Sequence, residues 1–351
     1  MSPRERVVTA MRREQPDRVP KTAGFTPTIQ EKFEKATGQS SAAEYFGFEN
    51  RGIGFKATPE LPDFSAWYPD GWPEGTSFSE YGTGRAPGDF YHFTSRLYPL
   101  ERAISLRELE EFPWPDYTPA YRHEHLEEDC KRLHDLGYFV SGSVGHIWEN
   151  AWQTTRMEKL MLDMTLNPEF AGYIFDRITG DRAFQAQRVA EAGADSIHCG
   201  DDVGMQDRLM MSPEMWREWL KPRWRKVIKA AKDANPDILA FYHSDGDVRP
   251  VIEELIEIGF DILNPVQPEC MDPAALKREY GDRLAFWGTI GTQTTMPFGT
   301  PKEVRATVKE RVETVGVGGG LLIAPTHVLE PEVPWENIVA LFEAVDEYGR
   351  Y

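Results

Sequence analysis

In this 351-residue chain the groups best able to do chemistry stand directly behind short apolar runs. His243 and Asp245 follow Ile-Leu-Ala-Phe-Tyr as His-Ser-Asp, and His327 follows Gly-Leu-Leu-Ile-Ala-Pro-Thr. In extended backbone, residues i and i+2 point the same way, so the His243 imidazole and the Asp245 carboxylate can converge on one point. With His327 from the later run they make a set of two imidazoles and one carboxylate. That set suits a divalent metal, zinc above all, and leaves a fourth position open for a substrate atom. The same spacing also allows a plain hydrogen-bonded pair that orients a loop.

Other polar residues end similar runs. Asp201, Asp202 and Gln206 follow one, Asp247 lies beyond His243, Asn264 and Gln267 follow another, and Thr289 and Gln293 a third. Asp202, His243 and His327 are the catalytic candidates; Gln206, Asn264, Gln267 and Gln293 are the substrate-binding ones. An Asp-Asp pair can also serve as a helix N-cap. His198 and Cys199 are adjacent in one run, so only one of them can face inward, and a core role suits both. Cys270 is a loop thiol with no basic neighbour, which favours an inert thiol over a thiolate ligand. The three cysteines, Cys130, Cys199 and Cys270, lie far apart with no Cys-x-x-Cys spacing, which excludes a disulfide scaffold and a Cys-rich zinc site.

These residues need a scaffold that brings strand ends together. Apolar runs at 138–144, 194–202, 238–245, 260–267, 284–290 and 320–327 alternate with helical stretches. Ser212-Pro213-Glu214 is a helix start, Val304, Val308, Val312 and Val315 form a single buried stripe, and Gly259 and Gly281 mark helix ends. Trp216 and Trp219, at i and i+3, read as packing. Strand and helix in alternation mean parallel strands joined by right-handed crossovers. The runs make six such units, and the N-terminal part, for instance Arg18 to Ala23, supplies two more. The predicted fold is α/β, a (β/α)8 TIM barrel within a single domain over 1–351, whose site lies at the C-terminal ends of the strands. An aromatic and Pro-rich insertion at about 55–118 interrupts it as short strands and turns, and its aromatic cluster at 64–92 is placed to cover the mouth. No GxGxxG or P-loop supports a nucleotide-binding open sheet.

The formal charge is −18, which disfavours nucleic acid and anionic membranes as partners. A charged N-terminus and the lack of a long apolar stretch make a soluble, cytoplasmic protein the expectation, with a homodimer possible.

The stretch GDDVGMQDRLMMSPEMWREWLKPRWRKVI, followed by HSDG, GFDILNPVQPECMDPAALKREYGDRLAFWGTIGTQTTMPFGTP and GGGLLIAPTHVLEPEVPWENI, resembles the uroporphyrinogen decarboxylase superfamily, as does the opening RERVVTAMRREQPDRVP. The resemblance implies a (β/α)8 barrel and one of two chemistries. True uroporphyrinogen decarboxylases carry an Arg-rich N-terminal motif for a polycarboxylate tetrapyrrole; here Lys21 and Phe25 stand at its arginine positions, which argues against that substrate. The other branch consists of zinc-dependent methyltransferases that work with methylcobalamin or a corrinoid protein. Their His-x-Cys and later Cys correspond to His243, Asp245 and His327. The resemblance thus implies methyl transfer between a small organic substrate, such as a methyl ether or amine, and a corrinoid (cobalamin) carried by a separate protein, with a divalent metal, zinc by family, at that site. The alternatives are a metal-independent decarboxylase or lyase using Asp202 and His327, with Lys21 and Arg18 holding a carboxylate, and a non-catalytic binding protein.

Overall fold

The computed structural model describes residues 1–87 and 95–351. Seven parallel strands lie in chain order: β1 (Asn50–Ile53), then, after the three short strands of the insertion, β5 (Phe139–Gly145), β6 (Ser196–Gly200), β7 (Leu239–His243), β8 (Ile262–Asn264), β9 (Ala285–Ile290) and β10 (Leu321–Pro325). The insertion contributes β2 (Ser77–Phe78), β3 (Gly84–Arg85) and β4 (Arg96–Leu97), which pair antiparallel in that order.

Residues 20–22 close the ring. Ile323 N–H donates to the Pro20 carbonyl at 2.9 Å and Thr22 N–H donates to the Ile323 carbonyl at 3.1 Å, while Glu49 N–H donates to the Lys21 carbonyl at 3.4 Å on the other side. Eight parallel positions around one axis make the (β/α)8 barrel. Both N-terminal units therefore exist, at 20–22 and Asn50–Ile53.

Alternation along the strands separates two apolar regions. Phe139, Leu239, Phe241, Ile262, Ala285, Trp287, Leu322 and Ala324 fill the interior, and Val7, Ala10 and Met11 of the helix Pro3–Met11 pack with them at the N-terminal ends of the strands. Ser2 and Glu5 start that helix with a capping box, which fixes its first turn. Ile197, Cys199, Ala240 and Tyr242, one residue out of phase, face the helical layer instead. Trp216 and Trp224 are fully buried there, and Trp219 nearly so. The valine stripe is buried as expected, but the helix Pro301–Arg311 continues through Val312–Gly316 as a π-turn.

In the insertion, Phe64, Trp67, Phe112 and Trp114 pack ring on ring, as do Tyr68, Trp72 and Phe78. The described aromatics thus form their own small core. The part of the expected aromatic cover at 88–92 lies outside the described residues. Among the described residues no helix is long and apolar enough to cross a membrane.

The loops after β6 and β7 touch backbone to backbone. A Cβ on Gly204 would stand 2.4 Å from the Asp245 carbonyl oxygen, and one on Gly246 would stand 2.4 Å from the Gly204 carbonyl carbon. Gly172, inside the helix Pro168–Glu191, meets nothing within 4 Å. Two substitutions of one kind therefore have opposite signs. Gly204→Ala is expected to destabilise by about 1–3 kcal/mol through overpacking. Gly172→Ala is expected to stabilise by about 0.5–1 kcal/mol through helix propensity. Urea midpoints of the two variants check both signs.

Candidate metal centre at the barrel mouth

His243 is the last residue of β7 and points into the barrel, two residues beyond Phe241. Its Nδ1 lies 2.6 Å from Asn264 Oδ1, and Asn264 Nδ2 donates to the Trp287 carbonyl at 2.8 Å. The carbonyl anchor fixes the amide so that oxygen faces the imidazole. Nδ1 therefore carries a ring proton, and Nε2 faces Asp202 Oδ1, 3.4 Å away.

Asp202 and Asp245 come from the two touching loops. Asp245 N–H donates to Asp202 Oδ1 at 2.9 Å, which ties the loop ends together. One ligand atom from each of Asp202, His243 and Asp245 lies within 4.8 Å of the other two. Among the described residues, buried Asp245 Oδ1 has no hydrogen-bond partner. Burial raises the Asp245 pKa and the Asp202 charge adds to this, while His243 and His327 oppose it. A carboxylate oxygen left without a donor in a group that also holds a second carboxylate and an imidazole nitrogen is built for a cation.

A second constellation adjoins the first. His146, just past β5, and Glu149, in the first turn of the helix Trp148–Thr155, gather with Asp201. His146 Nδ1 lies 2.8 Å from the Gly200 carbonyl and 3.0 Å from Glu149 Oε2. Glu149 Oε2 also accepts the Asp202 N–H at 3.1 Å. Asp201 is fully buried, with Oδ1 accepting from the N–H groups of Ile147 and Trp148 and, at longer range, Glu149, and Oδ2 accepting from Trp224 Nε1. Its lone pairs are committed, so this group is an N-cap and anchor rather than a metal site. Burial opposes a charge on His146, but Glu149 and Asp201 outweigh it and raise the ring to about 9.

The remaining candidates are placed as follows. His327 is exposed beyond β10 and stands outside the Asp202–His243–Asp245 group, although its charge reaches Asp245. Gln267 is buried, its Oε1 accepting the Gly246 N–H at 2.6 Å, so it braces the β7 loop. Gln206 is exposed and donates to the Glu269 carbonyl at 3.2 Å; Gln293 is exposed. Asn264 is the His243 partner already described. Asp247 pairs with Arg249. His198 faces inward, stacked on Phe241 at 3.9 Å, and burial together with His243 lowers it to about 3, so it is neutral. Burial raises the thiols of Cys199 and Cys270, which keeps both protonated near neutral pH. Lys21 is buried against Asp346, and Arg18 pairs with Glu49.

Sequence reading passed over His146 and Glu149. The available signal was a histidine one glycine beyond the apolar run 138–144, with an acid three residues on in the first helical turn.

The His146–Glu149 pair makes stability depend on pH. A ring raised to about 9 binds its proton more tightly in the folded state than in the unfolded one. This contribution is full below the unfolded value of about 6.5 and is lost as pH rises through the folded value. The urea midpoint of wild type should exceed that of His146→Gln most at about pH 6, with the gap shrinking toward pH 9–10.

Residues 101–348 match the family described as Uroporphyrinogen decarboxylase (URO-D). The chain is 32% identical over 163 residues to the methylcobamide:CoM methyltransferase MtaA of Methanosarcina barkeri, covering 46% of this chain and 44% of that protein. It is 24% identical over 159 residues to uroporphyrinogen decarboxylase of Legionella pneumophila, covering 45% and 42%. The chain thus spans less than half the length of these curated relatives. A solved structure of a methyltransferase from Methanosarcina mazei superposes with a TM-score of 0.66 at 21% identity over 99% of both chains, which shows a shared fold. The family match, the end-to-end structural likeness and the closed eight-position barrel agree, and the chain belongs to the uroporphyrinogen decarboxylase family.

Proposed function

We propose that the protein is a metal-dependent methyltransferase that moves a methyl group between a small organic substrate and a corrinoid carried by a separate protein. The observation that carries the metal reading is the gathering of Asp202, His243 and Asp245 ligand atoms within 4.8 Å of one another, with one buried Asp245 oxygen, Oδ1, left without a donor among the described residues. The residues fit a divalent ion. Asp202, His243 through Nε2, and Asp245 would hold it, and Asn264 orients the imidazole from behind. Zinc is the ion the family resemblance implies, and Asp202 takes the place of His327, the third ligand expected from sequence, which stands exposed beyond β10. An ion held there supplies Lewis acidity toward an oxygen or nitrogen of the substrate. The rest falls to the chain: Gln267 holds the β7 loop, and Gln206 and Gln293 stand exposed beyond β6 and β9, where a small substrate would enter.

Similarity to a methylcobamide:CoM methyltransferase supports the methyl-transfer reading, in which a corrinoid is the other reactant. A small methyl ether, alcohol or amine is the organic partner this oxygen-rich ligand set suits, because carboxylates leave the metal a stronger Lewis acid than thiolates do. The decarboxylase alternative takes Lys21 and Arg18 as partners for a substrate carboxylate, and here they pair with Asp346 and Glu49 instead.

Purified protein is expected to hold about one zinc per chain, a stoichiometry read by elemental analysis. His243→Ala should lose the metal together with methyl transfer to cob(I)alamin from methanol, methylamine or methoxybenzene, followed by the visible spectrum. Metal-free wild type that still transfers methyl refutes the metal reading. Asn264→Ala should weaken zinc binding about 10–100-fold, because the imidazole loses its orienting partner; competition with a chelating dye measures it.

A further inference from the structure

From its geometry we infer that His146 is the proton donor of this site, delivering a proton from Nε2 to the oxygen left behind when its methyl group departs. The inference rests on the methyltransferase reading and deepens it: the organic substrate is a methyl ether or methanol, with oxygen as the leaving atom.

Three observations converge. His146 leaves β5 at the barrel mouth, on the same rim as Asp202 and His243, and its side chain is 39% exposed. Its Nδ1 is spent on the Gly200 carbonyl and on Glu149. A carbonyl can only accept, so Nδ1 keeps its hydrogen and Nε2 is the nitrogen that gains or loses the second proton. The ring is also tied to the candidate metal group, because Glu149 Oε2 takes both the His146 contact and the Asp202 N–H.

The surroundings favour a charged ring. Glu149 on the following helix and Asp201 at the end of β6 face it directly, with Asp202 next along. Arg182, from the helix Pro168–Glu191, donates to the His146 carbonyl rather than to the ring, and its Nη2 is held by Tyr81 and Asn150. His243 acts on Glu149 from β7. Burial and Glu149 push Asp201 well above the usual carboxylate range, so Glu149 supplies most of the charge that holds His146 as an imidazolium at neutral pH. A methyl ether needs such a group. The C–O bond breaks with its electron pair on oxygen, the methyl carbon bonds to the reduced corrinoid using the Co(I) pair, and the proton from His146 neutralises the departing oxygen, hydroxide from methanol (giving water) or alkoxide or phenoxide from an ether. Glu149 remains ionised throughout, and solvent reprotonates the ring through its exposed edge.

The test uses full-length, zinc-loaded protein with free cob(I)alamin and three donors: methanol, 4-methylmethoxybenzene and 4-nitromethoxybenzene. In wild type the rate from methanol and the 4-methyl donor is expected to fall above about pH 9, and His146→Gln is expected to lose that limb along with roughly 10²–10⁴-fold in kcat. The 4-nitro donor, whose phenoxide needs no proton, should lose far less. Zinc content should not change. Independently of turnover, protein labelled with 13C at histidine Cε1 should show one ring titrating near 9 by NMR, absent in His146→Gln and moved down in Glu149→Gln. Equal losses for the two methoxybenzenes, an unchanged pH profile in His146→Gln, or an ordinary titration of this ring overturns the assignment while methyl transfer stands. Wild type that holds zinc yet demethylates none of the three donors overturns the function and this role together.

Discussion

The candidate centre depends on one steric fact: the loops that follow β6 and β7 meet through main-chain atoms. Gly200, Gly204 and Gly246 leave room for that approach, and any side chain at these positions would enter the neighbouring backbone. Glycine is the residue that permits such contact and also adopts the positive φ seen at 200 and 246. Once the loops touch, the Asp245 N–H reaches Asp202, and two carboxylates that would otherwise repel across the mouth are held beside one imidazole. A bound cation removes that repulsion, which is the physical reason to expect one.

Beneath the centre the barrel is stiff. Phe241, His198 and Trp287 stack on and against one another across β6, β7 and β9, so the His243 backbone stands on a packed floor. Thr289 and Val266, both β-branched, hold positive φ angles of 73° and 53° at the ends of β9 and β8. Such conformations are costly and persist only where the surroundings impose them, and they occur here at the rim that carries Asn264. The acidic surface contributes as well: Glu149, Asp201, Asp202 and Asp245 crowd one side of the mouth, and the imidazoles of His146 and His243 are the groups set among them.

Much of the barrel was legible because its signals are local. Short apolar runs ending in Asp, Asn or His mark parallel strands buried on both faces, and the i, i+2 rule predicts the proximity of His243 and Asp245 that is seen at β7's end. The same rule could not decide which third residue joins them. His327 has the right type and stands at a strand end, yet it is exposed beyond β10, while Asp202 reaches the pair from the neighbouring strand. Asp201 and Asp202 look equivalent in sequence. One is buried as the cap of a helix that begins some fifty residues earlier, and the other opens into the mouth.

Sequence by itself determined the alternation of strand and helix, the strand-end positions of the polar candidates and the exclusion of a thiolate-rich site, because periodicity, capping and residue type act within a few residues of chain. Tertiary structure alone decided which of those candidates share a point in space. That outcome depends on how closely neighbouring loops pack and on where each N–H and carbonyl finds its partner, and both are set by residues distant in sequence. Hence His146, Glu149 and Asp202 gained their places from contacts across strands, Gln267 became a brace, and Lys21 and Arg18 turned to ion pairs away from the mouth.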